Sequence, residues 1–269
     1  MTTTDSSQRH ALRMPVLFVG HGSPMNAIEE NEWSRGFREL RGLVPEPRAI
    51  LSISAHWFVT GTFVTANEAP PTIHDFGGFP EELYEVEYPA PGSLELAERA
   101  AELVGGGSSA LRTDWGLDHG TWSVLRHTWP EAELPVVQLS IDARLPGERH
   151  LALGRALAPL RDEGVLVFGS GNITHDLRDA FRRLRSGDES TPEWAERFDA
   201  EVARALQRHD GDELARFVAT DLGRRAHPTP DHYLPLLYVA GAADPRDAVS
   251  FPIVGFSAGS LSMRAVLFG

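Results

Sequence analysis

The sequence has no cysteine in its 269 residues. That excludes disulfides, cysteine-bound zinc, iron–sulfur clusters and a thiol nucleophile. No apolar run approaches the roughly 18 residues of a membrane span, and Met1 to Arg13 lack the apolar core of a signal peptide. Positive charge is in deficit: 25 basic side chains against 38 acidic ones leave a net charge of −13. Such a chain is a poor partner for nucleic acid or an anionic membrane. The expectation is a cytoplasmic protein with neither partner, acting as a monomer or homodimer. Motif-level absences narrow the chemistry further. No His-Glu-x-x-His pair is found. Gly255-Phe-Ser-Ala-Gly259 has the nucleophile-elbow pattern, but no histidine follows it, so a Ser…Asp…His order cannot be completed. Gly169-Ser-Gly171 opens like a dinucleotide fingerprint, yet Thr174 stands where the third small residue belongs.

What is present is enough apolar sequence for a core and an unusual amount of histidine. Hydrophobic residues make up 42% and charged residues 23%, values typical of a globular domain. Residues 1–13 read as a disordered tail and 14–269 as one folded domain. Short apolar runs at 15–20, 49–54, 135–141 and 165–168 read as buried strands. Residues 58–66 read as a third, more alternating strand, and 251–256 and 260–268 as two closing ones. Helical spacing covers 29–42, 94–104, 151–161, 192–208, 211–219 and 234–241. Strands and helices alternate, which predicts an α/β domain with a central mainly parallel or mixed sheet flanked by helices. Residues 67–92, rich in proline and glycine, form a long loop of the kind that usually carries function.

The chain has 11 histidines. With cysteine absent, His, Asp and Glu are the strong metal ligands left. His21, His56 and His175 each follow a predicted inner strand, at the edge of an α/β sheet where ligands bind. Taken together they point to a metal site. His119 opens a helix and is either a cap partner or a catalytic group. His232 begins an apolar helix, whose N-terminus disfavours imidazolium and favours the neutral, ligating form, with His227 as its competitor. His10, His127, His150 and His209 read as surface residues.

The runs Gly20-His-Gly-Ser-Pro-Met25, Ser52-Ile-Ser-Ala-His-Trp57, His74-Asp-Phe-Gly-Gly-Phe-Pro80, Tyr88-Pro-Ala-Pro-Gly92, Gly116-Leu-Asp-His-Gly120, Gly169-Ser-Gly-Asn-Ile-Thr-His175 and His227-Pro-Thr-Pro-Asp-His232 occur in this order. Together they resemble the class III extradiol ring-cleavage dioxygenases, in the DOPA 4,5-dioxygenase branch, over roughly residues 15 to 268. The resemblance implies an α/β catalytic domain that opens a DOPA-like catechol with O2 at one mononuclear non-haem metal, Fe(II) for activity, with Zn(II) able to occupy the site. It implies His21 and His56 as ligands, His232 as the third, His175 as base or fourth ligand, and His119 near substrate and oxygen. The loop from His74 to Tyr88 would cover the ring, with His74, Phe76, Phe79 and Tyr84 as substrate contacts. One departure stands out: the wider class uses two histidines and a carboxylate, whereas here the third position is His232, with Asp231 beside it. An all-imidazole set also suits zinc, so a zinc-dependent hydrolase and a non-enzymatic binding relative of the same fold are the competing readings.

Overall fold

The computed structural model describes residues 13–269, apart from Glu189 and the side chain of Ser108. Its strands are β1 (Val16–Gly20), β2 (Ala49–Val59), β3 (Val64–Thr65), β4 (Leu111–Arg112), β5 (Val136–Asp142), β6 (Val165–Gly171), β7 (Val249–Ser250), β8 (Phe256–Ser257), β9 (Leu261–Ser262) and β10 (Val266–Phe268). All but β8 and β9 join one sheet in the order β4-β3-β5-β2-β6-β1-β10-β7. The four central strands, β5, β2, β6 and β1, run parallel. β3 meets β5 antiparallel on one side, and β10 meets β1 antiparallel on the other. The sheet is therefore mixed, with its parallel strands in the middle.

Continuous apolar strands bury both faces, because successive side chains point to opposite sides. Val16 and Phe18 of β1 enter one core with Leu51, Ile53 and Val167, covered by the helices Glu193–Gln207 and Leu234–Ala242. Leu17 and Val19 enter the other core with Ile50, Leu166 and Phe168, covered by the helices Glu32–Leu40 and His119–Thr128. The helix Leu234–Ala242 is apolar all round and nearly fully buried, as expected of an element packed against both a sheet and other helices.

Several elements differ from the sequence reading. The second expected strand is longer than read, because β2 runs on to Val59 through an irregularity between Ile53 and Phe58, and what is left of the third is the two-residue β3, Val64–Thr65. The helix expected at 151–161 divides into Gly147–Leu157 and Pro159–Asp162, broken where proline removes a backbone donor. The closing strands are short pieces, and much of 251–256 lies outside them. The expected tail and His10 fall outside the described residues except for Arg13, which is half-buried and ion-paired with Asp162 and Asp244.

The surface assignment of His150 is also corrected. It is fully buried, its Nε2–H donating to the Leu145 carbonyl (3.2 Å) and its Nδ1 accepting from the Tyr238 hydroxyl (3.0 Å). Both ring nitrogens are satisfied, so a polar ring is tolerated in the core. His127 is half-buried, with Nε2 donating to the Asn26 carbonyl at 2.8 Å.

Burial pushes His150 down to about 4. The folded state holds it neutral while the unfolded chain takes up a proton below its ordinary value near 6.5, so stability is lost as pH falls between those values. Urea unfolding at pH 7 and pH 5 should show His150→Gln losing about 2 kcal/mol less than the native chain across that interval. Equal losses would show that His150 is not held neutral.

Candidate metal centre

The site lies at the carboxyl edge of the parallel strands. β1 and β2 flank β6, and each brings one histidine to that edge. His21 directly follows β1, its backbone N–H bonded to the Gly171 carbonyl at 3.0 Å. His56 sits inside β2, in the stretch where pairing with β5 slips, and such an irregularity re-aims a side chain. His232 ends the short 3-10 turn Pro230–His232, tied to the end of β6 by Asn172 N–H to the His232 carbonyl, 2.8 Å. Gly171 permits that approach, since a Cβ there would lie 2.1 Å from the same carbonyl oxygen.

Three ring nitrogens able to hold a metal, one each from His21, His56 and His232, lie within 4.8 Å of one another. The hydrogen bonds behind them fix their tautomers. Ser170 Oγ donates to the Gly120 carbonyl (2.5 Å), so it must accept from His21 Nδ1–H at 2.9 Å. His56 Nδ1–H faces Asp75 Oδ2 at 3.0 Å, and His232 Nδ1–H faces Asp231 Oδ2 at 2.5 Å. All three Nε2 atoms are left with bare lone pairs, and those of His21 and His56 face each other at 3.2 Å. Two lone pairs at that distance repel unless a proton or a metal cation lies between them, and oriented histidines backed by carboxylate or hydroxyl partners are the usual support of a metal. The donor set fits one divalent ion. It also explains the missing carboxylate ligand: Asp231 stands one hydrogen bond behind His232.

Electrostatics agree. Burial first, then the neighbouring imidazoles, holds His21 and His232 well below the ordinary histidine value. Burial also opposes a charge on His56, but the Asp75 hydrogen bond and the Asp118 and Asp231 carboxylates outweigh it and raise its proton affinity. The cluster therefore attracts one positive charge while keeping most of its rings neutral.

His119 is the first residue of the helix His119–Thr128, behind the cap residue Asp118. Its backbone N–H and its Nδ1–H both reach Asp75 Oδ1, at 2.9 and 3.0 Å. Asp75 thus spans His56 and His119. A second grouping of His56, Asp75 and His119 has metal-like spacing, but its atoms are already hydrogen-bonded to one another, so it is an orienting network. Asp75 lay in plain view in the loop, but its role depends on contacts across the fold that spacing does not reveal. Ser170, inside a buried strand, gave no signal either.

His175 does not join the trio. Its ring stacks on His232, centroids 3.4 Å apart and planes at 7°, and its backbone is held by the Ala226 carbonyl and a bridge to Leu261. His227 is buried against Phe198 and Tyr233, away from the trio. In the long loop, Phe76 sets its ring edge-on to His119 at 5.4 Å and packs on Tyr84 at 5.1 Å. His74 Nε2 donates to the Val86 carbonyl at 3.0 Å and so braces the loop itself. A cavity of about 480 Å³ opens on the other side, lined by His175 and His232 among others, and His74, Phe76 and Tyr84 are not among its lining residues.

A family model described as the catalytic LigB subunit of aromatic ring-opening dioxygenase matches residues 15–259. The chain belongs to this family. It is 48% identical to the 4,5-DOPA dioxygenase extradiol of Escherichia coli (strain K12), over 96% of this chain and 95% of that one. It is 41% identical to the 4,5-DOPA dioxygenase extradiol of Beta vulgaris, over 85% of this chain and 86% of that one. A crystal structure of an uncharacterized Escherichia coli K12 protein matches with a TM-score of 0.82 and 42% identity, covering 96% of this chain and 100% of the other. This LigB-family protein is an extradiol aromatic ring-opening dioxygenase with a histidine site able to hold a metal, and the hydrolase and non-enzymatic readings fall away. Among the described residues, no helix is long and apolar enough to cross a membrane.

Gly120 closes the trio from behind. A Cβ there would come 2.5 Å from Ser54 Oγ, 2.9 Å from His56 Cδ2 and 3.3 Å from His21 Cε1. Gly120→Ala should weaken Zn(II) binding by about tenfold or more, as displaced ligand supports do, read by titration against a chromogenic chelator. Undiminished affinity in a folded variant would contradict the arrangement.

Proposed function

We propose that the protein opens a catechol, with DOPA as the leading candidate, beside one hydroxyl, using O2 and an Fe(II) held by the Nε2 atoms of His21, His56 and His232. The observation that carries the metal assignment is the set of three bare Nε2 atoms whose tautomers Ser170, Asp75 and Asp231 impose. The names of the Escherichia coli and Beta vulgaris relatives support DOPA. A reducing, cytoplasmic setting that keeps iron divalent belongs to the same proposal. Bound at this site, the ion would acidify the catechol hydroxyls and couple the electron-rich ring to dioxygen.

The protein's own residues have two tasks. The first is to move protons. His175 is held down at about 4 mainly by burial, so its ring is neutral at physiological pH and can accept the second hydroxyl proton of the catechol. His119 is likewise lowered to about 4 by burial and then by His56. With Nδ1–H committed to Asp75, it presents Nε2 as the atom that takes up and returns a proton as the ring opens. The second task is to shape the site. Phe76, edge-on to His119 and backed by Tyr84, forms an apolar wall for the ring.

His119→Gln should keep its metal and lose turnover by about a hundredfold or more, the scale of a lost general acid or base. Asp75→Asn should lower turnover by about 10- to 100-fold through disordered His56 and His119. Metal analysis, oxygen uptake and the appearance of a yellow product from DOPA check both. Full turnover in His119→Gln would remove His119 from the proton path.

A further inference from the structure

We propose that Arg178 receives the negatively charged end of the substituent on the catechol ring, making the cavity beside His175 and His232 an anion-selective subsite. The inference rests on the ring-opening reading and adds the residue that selects the substrate.

The cavity, about 480 Å³, is within the range of pockets that hold small ligands. The stacked pair His175 and His232 is part of its lining, so the cavity reaches one of the three candidate ligand rings. Four charged side chains line it: Asp176, Arg178, Arg225 and Asp231. Three are already engaged. Asp231 accepts from His232 Nδ1–H through Oδ2, its buried Oδ1 having no partner among the described residues. Asp176 caps the helix Leu177–Ser186 by accepting from Asp179 N–H, and it pairs with Arg225 at 3.3 Å. Arg225 also lies 4.9 Å over the Trp194 ring and 3.8 Å from Asp179. Arg178 is the charged lining residue that forms no ion pair or side-chain hydrogen bond among the described residues.

Arg178 is also placed to act together with His175. It lies three residues further along, in the first turn of the helix Leu177–Ser186, and both line the same cavity. A catechol seated against His175 would carry its ring substituent outward, toward the guanidinium. The chain contains no lysine, so arginine supplies every fixed positive charge. A planar guanidinium binds a carboxylate through two parallel hydrogen bonds, whereas neutral catechols gain nothing from it. In a protein of net charge −13, a local cation lining the cavity that His232 also lines is what admits an anionic substrate against the overall field.

The test compares 3-(3,4-dihydroxyphenyl)propionate with 4-methylcatechol on iron-loaded protein, native and Arg178→Gln, with Arg178→Lys as the conservative control. The native protein should favour the carboxylate-bearing catechol. Arg178→Gln should lower the ratio of the two kcat/KM values by about tenfold or more, mostly through KM, and Arg178→Lys should restore part of it. The preference should weaken with added salt in the native protein and less so in Arg178→Gln. Anaerobic dissociation constants for the two catechols supply the same ratio without turnover. Ring opening with a ratio unmoved by Arg178→Gln overturns the subsite and leaves the activity standing. If no catechol is turned over, the ring-opening reading fails, and the anaerobic ratio still decides for or against Arg178.

Discussion

Two bare imidazole nitrogens 3.2 Å apart at the edge of the sheet need a positive charge between them. Much of this molecule serves to hold them there. β6 separates β1 from β2, so the two histidines approach across the end of an intervening strand, which itself supplies Ser170 to orient one of them. Gly171 lets the His232 backbone come close, and Gly120 leaves room for the His21 and His56 rings. Desolvation keeps His21 and His232 neutral, while three surrounding carboxylates hold His56 the other way. Neutral rings are the ligating form, and the neighbouring negative charge favours a cation.

The centre has two unlike sides. On one, the long loop brings Asp75 and Phe76 to His119, so orientation and an apolar wall come from the same short segment. On the other, His175 stacks on His232 and opens to the cavity. His119 and His175 thus flank the trio rather than share one position, which suits a reaction that must remove a proton at one stage and supply one at another. Asp75, bonded to both His56 and His119, links the proposed ligand ring to the proposed proton carrier through a single carboxylate.

The sequence made the layered α/β sheet legible, and with it the gathering of His21, His56 and His232 at one strand edge, because both depend on local pattern. An apolar run ended by glycine marks β1, and His21 comes directly after it. The trio's supports were not legible. Asp75 is one acidic residue in a loop, and Ser170 one polar residue in a buried strand; only the tertiary fold puts them behind an imidazole. The extension of β2 through His56 was missed because a pairing irregularity has no periodic signature. His150 was misplaced for a related reason: a histidine on a helix is ordinarily exposed, and Tyr238, far along the chain, is what allows it inside.

The most direct test of this account is the metal content of the native protein and its single histidine variants after anaerobic loading with Fe(II) and removal of excess. The account predicts one ion per chain in the native protein, retained in His175→Ala, and lost in His21→Ala, His56→Ala and His232→Ala. Two ions per chain, or a His175→Ala variant that loses its metal as fully as the other three, would contradict a centre built on three imidazoles.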